Sequence, residues 1–147
     1  MVLRKGVQVE TDVRQIAGPA TDPSRLSFFD MSRLPLVPVP ERPHSIQALV
    51  NPVGAEGCSL LAVHYPPNME VQRHRHDVPQ IVLVLEGELR QGKHVLGPGA
   101  GYYTPAGMAY KLVAGSEGAR LVEFRPTALT FSTEWLTSMS DKHEPTT

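Results

Sequence analysis

Proline and glycine interrupt this chain too often for a bundle of long helices. Fourteen prolines and twelve glycines are spread over 147 residues, and each proline inside a helix would remove a donor and clash with the preceding turn. Short runs rich in β-branched residues fill the gaps, a pattern that predicts an all-β protein with many tight turns. Ser59 to Tyr65 reads as a strand that stops at Pro66-Pro67. Gln80 to Glu86 is the clearest strand and ends at Gly87. Glu88 to Arg90 and Lys93 to Leu96 flank Gln91-Gly92, a hairpin turn by composition. Gly97-Pro98-Gly99 turns the chain again before Tyr102 to Thr104. Ala109 to Val113 and Arg120 to Phe124 follow, separated by Gly115-Ser116-Glu117-Gly118. Strands this short and this regularly spaced predict a sandwich or a barrel.

The chain is long enough for one domain with a real core and too short for two ordinary ones. Residues 1–45 read as an N-terminal arm, weakly apolar around Val13 and Ile16, running into a proline-rich edge segment from Leu34 to Pro43. Residues 46–127 read as the barrel. Residues 128–147 read as a short helix, capped by Ser132 and carrying Trp135, Leu136 and Met139, followed by a frayed tail.

Charge and cysteine content narrow the function classes. Fourteen basic residues nearly cancel fifteen acidic ones, without the basic surplus that nucleic acid or a membrane surface calls for. No apolar run of about 18 residues exists to span a bilayer, and Met1-Val2-Leu3-Arg4-Lys5 lacks the apolar core of a signal peptide. Cys58 is the only cysteine, so no internal disulfide forms and a cytoplasmic setting is expected.

The chemistry concentrates at His74-Arg75-His76. In an extended chain, residues two apart point the same way, so both imidazoles face one side at a spacing that suits one metal ion. Zinc, iron, nickel, copper and manganese all accept imidazole. The pair could equally sit on a solvated loop edge beside Arg73 and Arg75.

From Asn68 to Tyr110 the sequence resembles the two motifs of the cupin superfamily. The first runs from Asn68, in the place of a glycine, through His74 and His76 to Gln80, where a glutamate is usual, and on to Gly87. The second holds Gly99, Pro105 and Gly107, then Tyr110 where a histidine is usual and Ala114 where an asparagine is usual. This resemblance implies a double-stranded β-helix, the jelly-roll barrel of the cupins, with the arm and the short C-terminal helix added to it. It implies one divalent transition metal (iron, zinc, nickel or manganese) held by His74, His76 and Gln80, with His64 and Tyr110 as possible additional ligands. Val82, Val84, Tyr103 and Leu112 are expected to line a substrate pocket by alternation, and Ile81, Leu83 and Leu85 to face a second layer or a partner. His44 and His94 are expected at the surface.

A neutral glutamine ligand leaves a divalent site one charge more positive than a glutamate would. An anionic or enolisable oxygen-rich substrate is therefore expected, with Tyr110 as a ligand or as the catalytic proton carrier. Among similar cupins, dioxygenases are common and are slightly favoured here. Lyases, isomerases and polyketide cyclases use the same ion as a Lewis acid, while other cupins with altered ligands only bind small molecules. A homodimer is expected.

Overall fold

The computed structural model describes residues 2–4, 7–10, 20–52, 57–127 and 133–136. Its regular elements are all strands: β1 (Val2–Arg4), β2 (Val7–Glu10), β3 (Val37–Pro38), β4 (Ser45–Val50), β5 (Ser59–Tyr65), β6 (Glu70–His76), β7 (Gln80–Gln91), β8 (His94–Leu96), β9 (Gly101–Thr104), β10 (Tyr110–Arg125) and β11 (Thr133–Leu136). One curled antiparallel sheet holds them in the order β1-β2-β11-β6-β10-β5-β4-β3, and β7 joins β10 to β8 and β9. This is the jelly-roll arrangement that the resemblance implies, within the sandwich-or-barrel class that the strand pattern predicts. No helix among the described residues is long and apolar enough to cross a membrane.

Strand β10 closes the barrel because it changes partners along its length. Its first residues pair with β6, at Tyr110↔His74 and Leu112↔Val71. Its last seven pair with β5, from Ala119↔Tyr65 to Arg125↔Ser59. Strand β7 accompanies it through both parts, with a register shift between Ala114 and Ala119. The sequence predicts two strands here, split at Gly115–Gly118. The structure has one bent strand, since a bulge bends a strand without ending it. The expected break at Gly87 is likewise a bend inside β7. A Cβ on Gly87 would lie 2.1 Å from the Gly118 carbonyl oxygen, and φ is 75°, so only glycine lets the two bends touch. At Asn68 the backbone also sits at positive φ, 60°, a region asparagine tolerates better than most residues. That explains how asparagine occupies a place where the motif prefers glycine.

The predicted C-terminal helix is corrected by the structure. Thr133–Leu136 is a strand that pairs with β6 at Thr133↔His76 and Trp135↔His74, and with β2 on its other side. Threonine and tryptophan favour strands, and here they satisfy a β6 backbone that would otherwise form an open edge. Ser132 and Met139 lie outside the described residues, as do Val13 and Ile16. The proline-rich lead supplies only the two-residue β3, at the far end of the strand order.

Inward side chains pack the core: Val82, Val84 and Leu89 from β7, Leu112, Ala114, Ala119 and Leu121 from β10, with Leu61, Val63, Val71 and Ile46. On the opposite face of β4 and β5, Gln47 donates to the Met31 and Leu34 carbonyls at 2.9 and 2.6 Å, which ties the connecting segment onto the sheet.

Candidate functional site

A bulge in β6 builds the site. Between Val71 and His74 this strand spends three steps where β10 spends two, from Leu112 to Tyr110. The extra residue turns His74 to the same inner face as Val71, and His76 follows by alternation. Both imidazoles are buried, at 4% and 7% exposure, with ring centres 5.0 Å apart.

Their hydrogen bonds orient them. The Nδ1–H of His74 donates to the Gln72 carbonyl, at 2.7 Å inside the bulge. A carbonyl can only accept, so Nε2 of a neutral His74 carries the lone pair. Nδ1 of His76 meets the Thr133 hydroxyl at 3.1 Å. Burial, assisted by Arg125 and Arg42, holds His74 at a pKa of about 4 despite the Gln72 contact.

Gln80 and Tyr110 complete the cluster. The Gln80 amide nitrogen donates to the Tyr110 hydroxyl, and its carbonyl oxygen is buried without a hydrogen-bond partner among the described residues. Tyr110 lies 4.4 Å from His74 between ring centres and 6.2 Å from His76. Burial, then the negative charge of Glu123, raises its phenol above the usual tyrosine range, against hydrogen bonds from Tyr102 and Gln80. The phenol is therefore neutral in this environment. Among the described residues, no three His, Cys, Asp or Glu side chains form a metal-binding group; here an amide and a phenol join the two histidines.

Beside the histidines lies a cavity of about 90 Å³, lined by Val39, His44, Ile46, Leu61, Val63, Tyr65, Val71, His74, His76, Glu123, Arg125, Thr133 and Trp135. Glu123 and Arg125 are an ion pair at 2.7 Å, with side chains 10% and 2% exposed. Trp135 stacks 4.9 Å from His74 and carries the Arg42 guanidinium 4.1 Å from its ring centre. A larger groove of about 600 Å³ runs along residues 20–34, 48–52 and 57–58 and includes none of these histidines.

Val82, Val84 and Leu112 are buried in the core and are not among the side chains lining the 90 Å³ cavity. Tyr103 is 65% exposed. Its neighbour Tyr102 takes the inward place, 5.6 Å from Tyr110. His64 shares the face of Gln47, whose side-chain oxygen it meets at 3.1 Å, while the alternate residues Val63 and Tyr65 line the cavity. His94 is exposed as expected. His44, expected at the surface, is corrected: it lines the cavity, packs edge-on to Tyr65 at 5.5 Å, and is lowered to a pKa of about 4 by burial and by Arg42.

Sequence reading missed Glu123, Arg125, Thr133 and Trp135. The first two continue the alternation of Ala119 and Leu121, but that alternation points inward only once the closed sheet fixes the direction of Leu121.

Comparison with known proteins agrees with this architecture. Residues 61–124 match the model of the Cupin domain. No curated protein sequence matches the chain. KdgF from Halomonas sp. superposes with a TM-score of 0.59 at 18% identity, covering 69% of this chain and 94% of its own. The polyketide cyclase RemF from Streptomyces resistomycificus gives 0.60 at 22% identity, covering 69% and 80%. A protein proposed as an acetylacetone dioxygenase, from Methylibium petroleiphilum PM1, gives 0.59 at 13% identity, covering 74% and 81%. Motif, family model and topology agree: residues 61–124 match a cupin domain, and the chain has the cupin jelly-roll fold.

Proposed function

We propose that the protein is a metal-dependent cupin enzyme that acts on a small, oxygen-rich, anionic or enolisable substrate. The observation that carries this reading is the convergence of His74, His76, Gln80 and Tyr110 in one buried cluster beside a cavity. The residues present fit a divalent ion. His74 has its outer nitrogen anchored by a backbone carbonyl, as metal-binding histidines usually do. The unpaired Gln80 oxygen supplies a buried neutral donor. Bound there, such an ion would polarise a substrate oxygen or, if iron, open the way to O₂ chemistry.

The neutral donor set leaves charge balance to an anionic substrate, and the dioxygenase branch is favoured because dioxygenases are common among similar cupins. One observation supports the Lewis-acid alternative, a lyase, isomerase or cyclase. The Tyr110 phenol is kept protonated by burial and is held by Gln80, as suits a group that delivers a proton to an enolate. The polyketide cyclase and the proposed acetylacetone dioxygenase share the fold. On the outer face, Tyr103, Ile81 and Phe124 sit side by side across three strands and are each partly exposed. A second copy covering this face would give the homodimer.

Oxygen consumption with acetylacetone separates the branches. The dioxygenase reading expects uptake by the iron-loaded protein and none after chelation. Turnover of the diketone without oxygen uptake would move the function to the Lewis-acid branch. No turnover of acetylacetone or of catechol-like acids with any of the four metals would favour a non-catalytic binder.

A further inference from the structure

The outer face of the sheet is apolar across five strands and only partly covered. Residues paired in register share a face, so Tyr103 (β9), Ile81 (β7), Phe124 (β10), Leu60 (β5) and Val50 (β4) form one row on it. Beside it runs a second row of Leu83, Val122, Ala62 and Gln47. Along that row exposure falls from 42% at Leu83 to 0% at Ala62 and 3% at Gln47. The β4 end is covered by the segment that precedes β3, through the bonds from Gln47 to the Met31 and Leu34 carbonyls. The β9 end is open: Tyr103 is 65% exposed and Ile81 51%.

The covering segment carries apolar surface of its own. Two turns of the same form shape it, with Asp22 accepting from the backbone N–H of Ser24 and Asp30 from that of Ser32, each at 2.9 Å. Its start is tied down by the Thr21 N–H, which donates to the Asn51 carbonyl at 2.7 Å. Between these anchors Leu26 and Phe28 stand in solvent, 84% and 88% exposed.

Scattered exposed apolar residues are ordinary, but the area here is large. The exposed parts of Phe28, Phe29, Tyr103 and Phe124 amount to on the order of 500 Å². Leu26, Ile81 and Leu83 bring the total toward the roughly 800 Å² that each partner gives to a standard interface. The surface has the form of a step, raised at the β4 end by the segment, low at the β9 end, and apolar on both levels. Two such steps related by a twofold axis interlock, because the raised part of each meets the low part of the other. We propose that residues 26–29 of each copy seat on the row of Tyr103, Ile81 and Phe124 of a second copy of this chain. The inference rests on the homodimer of the functional reading above, adds which residues meet in it, and needs no metal.

Sedimentation equilibrium of the full-length protein at micromolar concentration should give twice the chain mass. Phe28→Asp and Ile81→Lys each place a charge in both contacts of the dimer. Each should weaken it about thirtyfold or more, as loss of a central anchor does. Mixed in equal amounts, the two variants should pair more tightly than either does alone. One contact of the mixed dimer is unaltered, and in the other the new carboxylate meets the new ammonium. Phe28 is too exposed for its substitution to disturb the core, and Tyr103→Lys replaces Ile81→Lys if the latter fails to fold. A dimer weakened by Ile81→Lys and untouched by Phe28→Asp would keep the homodimer and overturn the seat proposed for residues 26–29. A mixture no tighter than its components would do the same. A monomeric wild type would overturn the seat and the homodimer together, and leave both surfaces to a different partner.

Discussion

The two ends of the barrel interior are built from the same strands to opposite specifications. At one end the apolar side chains of Val84, Leu89, Ala114, Ala119 and Leu121 are packed to 6% exposure or less. At the other, Gln80, Tyr110, Glu123 and Arg125 come from the same β7 and β10, at similar burial. There Tyr110 packs against two imidazoles, and Glu123 and Arg125 line a cavity instead of more aliphatic surface. Close packing keeps the dry end in one arrangement. The polar end gives up some of that stability: it holds a desolvated ion pair, which gains little over apolar packing, and polar atoms without hydrogen-bond partners among the described residues. Proteins concentrate such conflicts where they act on ligands.

Truncating Leu89, which has no exposed surface, should have the largest effect on stability. Leu89→Ala is expected to lower the unfolding free energy by about 2–5 kcal/mol, read from urea denaturation, with metal content per folded chain unchanged. A loss under about 1 kcal/mol would mean that the dry end is not tightly packed.

Acid should act on the polar end. His44 and His74 are held near a pKa of about 4 in the folded chain, against about 6.5 when unfolded. Between those values the unfolded chain binds more protons, so stability falls as pH drops from about 6.5 to about 4 and is level above that window. The His74 contribution is on the order of 3 kcal/mol at the acid limit. Urea midpoints at pH 7.5 and pH 5 test it: the midpoint should fall at pH 5, and by less in His44→Gln. Equal midpoints in the wild type would show that neither imidazole is kept neutral by burial.

The same contrast explains how much could be read from the sequence. Alternating aliphatic residues in Gln80–Glu86 and Ser59–Tyr65 mark strands whatever their partners, so the barrel was legible. The spacing of His74, His76 and Gln80 was legible because a motif carries it. Glu123 and Arg125 were not, since a charged residue at every second position of a strand ordinarily marks the solvent face. Only the inward direction of Leu121, set by the closed sheet, reverses that reading. His44 and Trp135 escaped for a different reason. They come to the cavity from segments far apart in the chain, Trp135 through pairing of β11 with β6, and no local pattern encodes that pairing. Tyr102 and Tyr103 show the limit of alternation itself. It says that one of two neighbours points inward and leaves the choice to register.

Elemental analysis of protein purified without added metal, alongside the His74→Ala/His76→Ala variant, reaches furthest into the polar end. About one equivalent of a divalent transition metal per wild-type chain is expected, with loss of most of it in the folded variant, since both imidazole donors are gone. Equal and negligible metal in both proteins would contradict the metal centre and leave the jelly-roll barrel as the part of the description that stands.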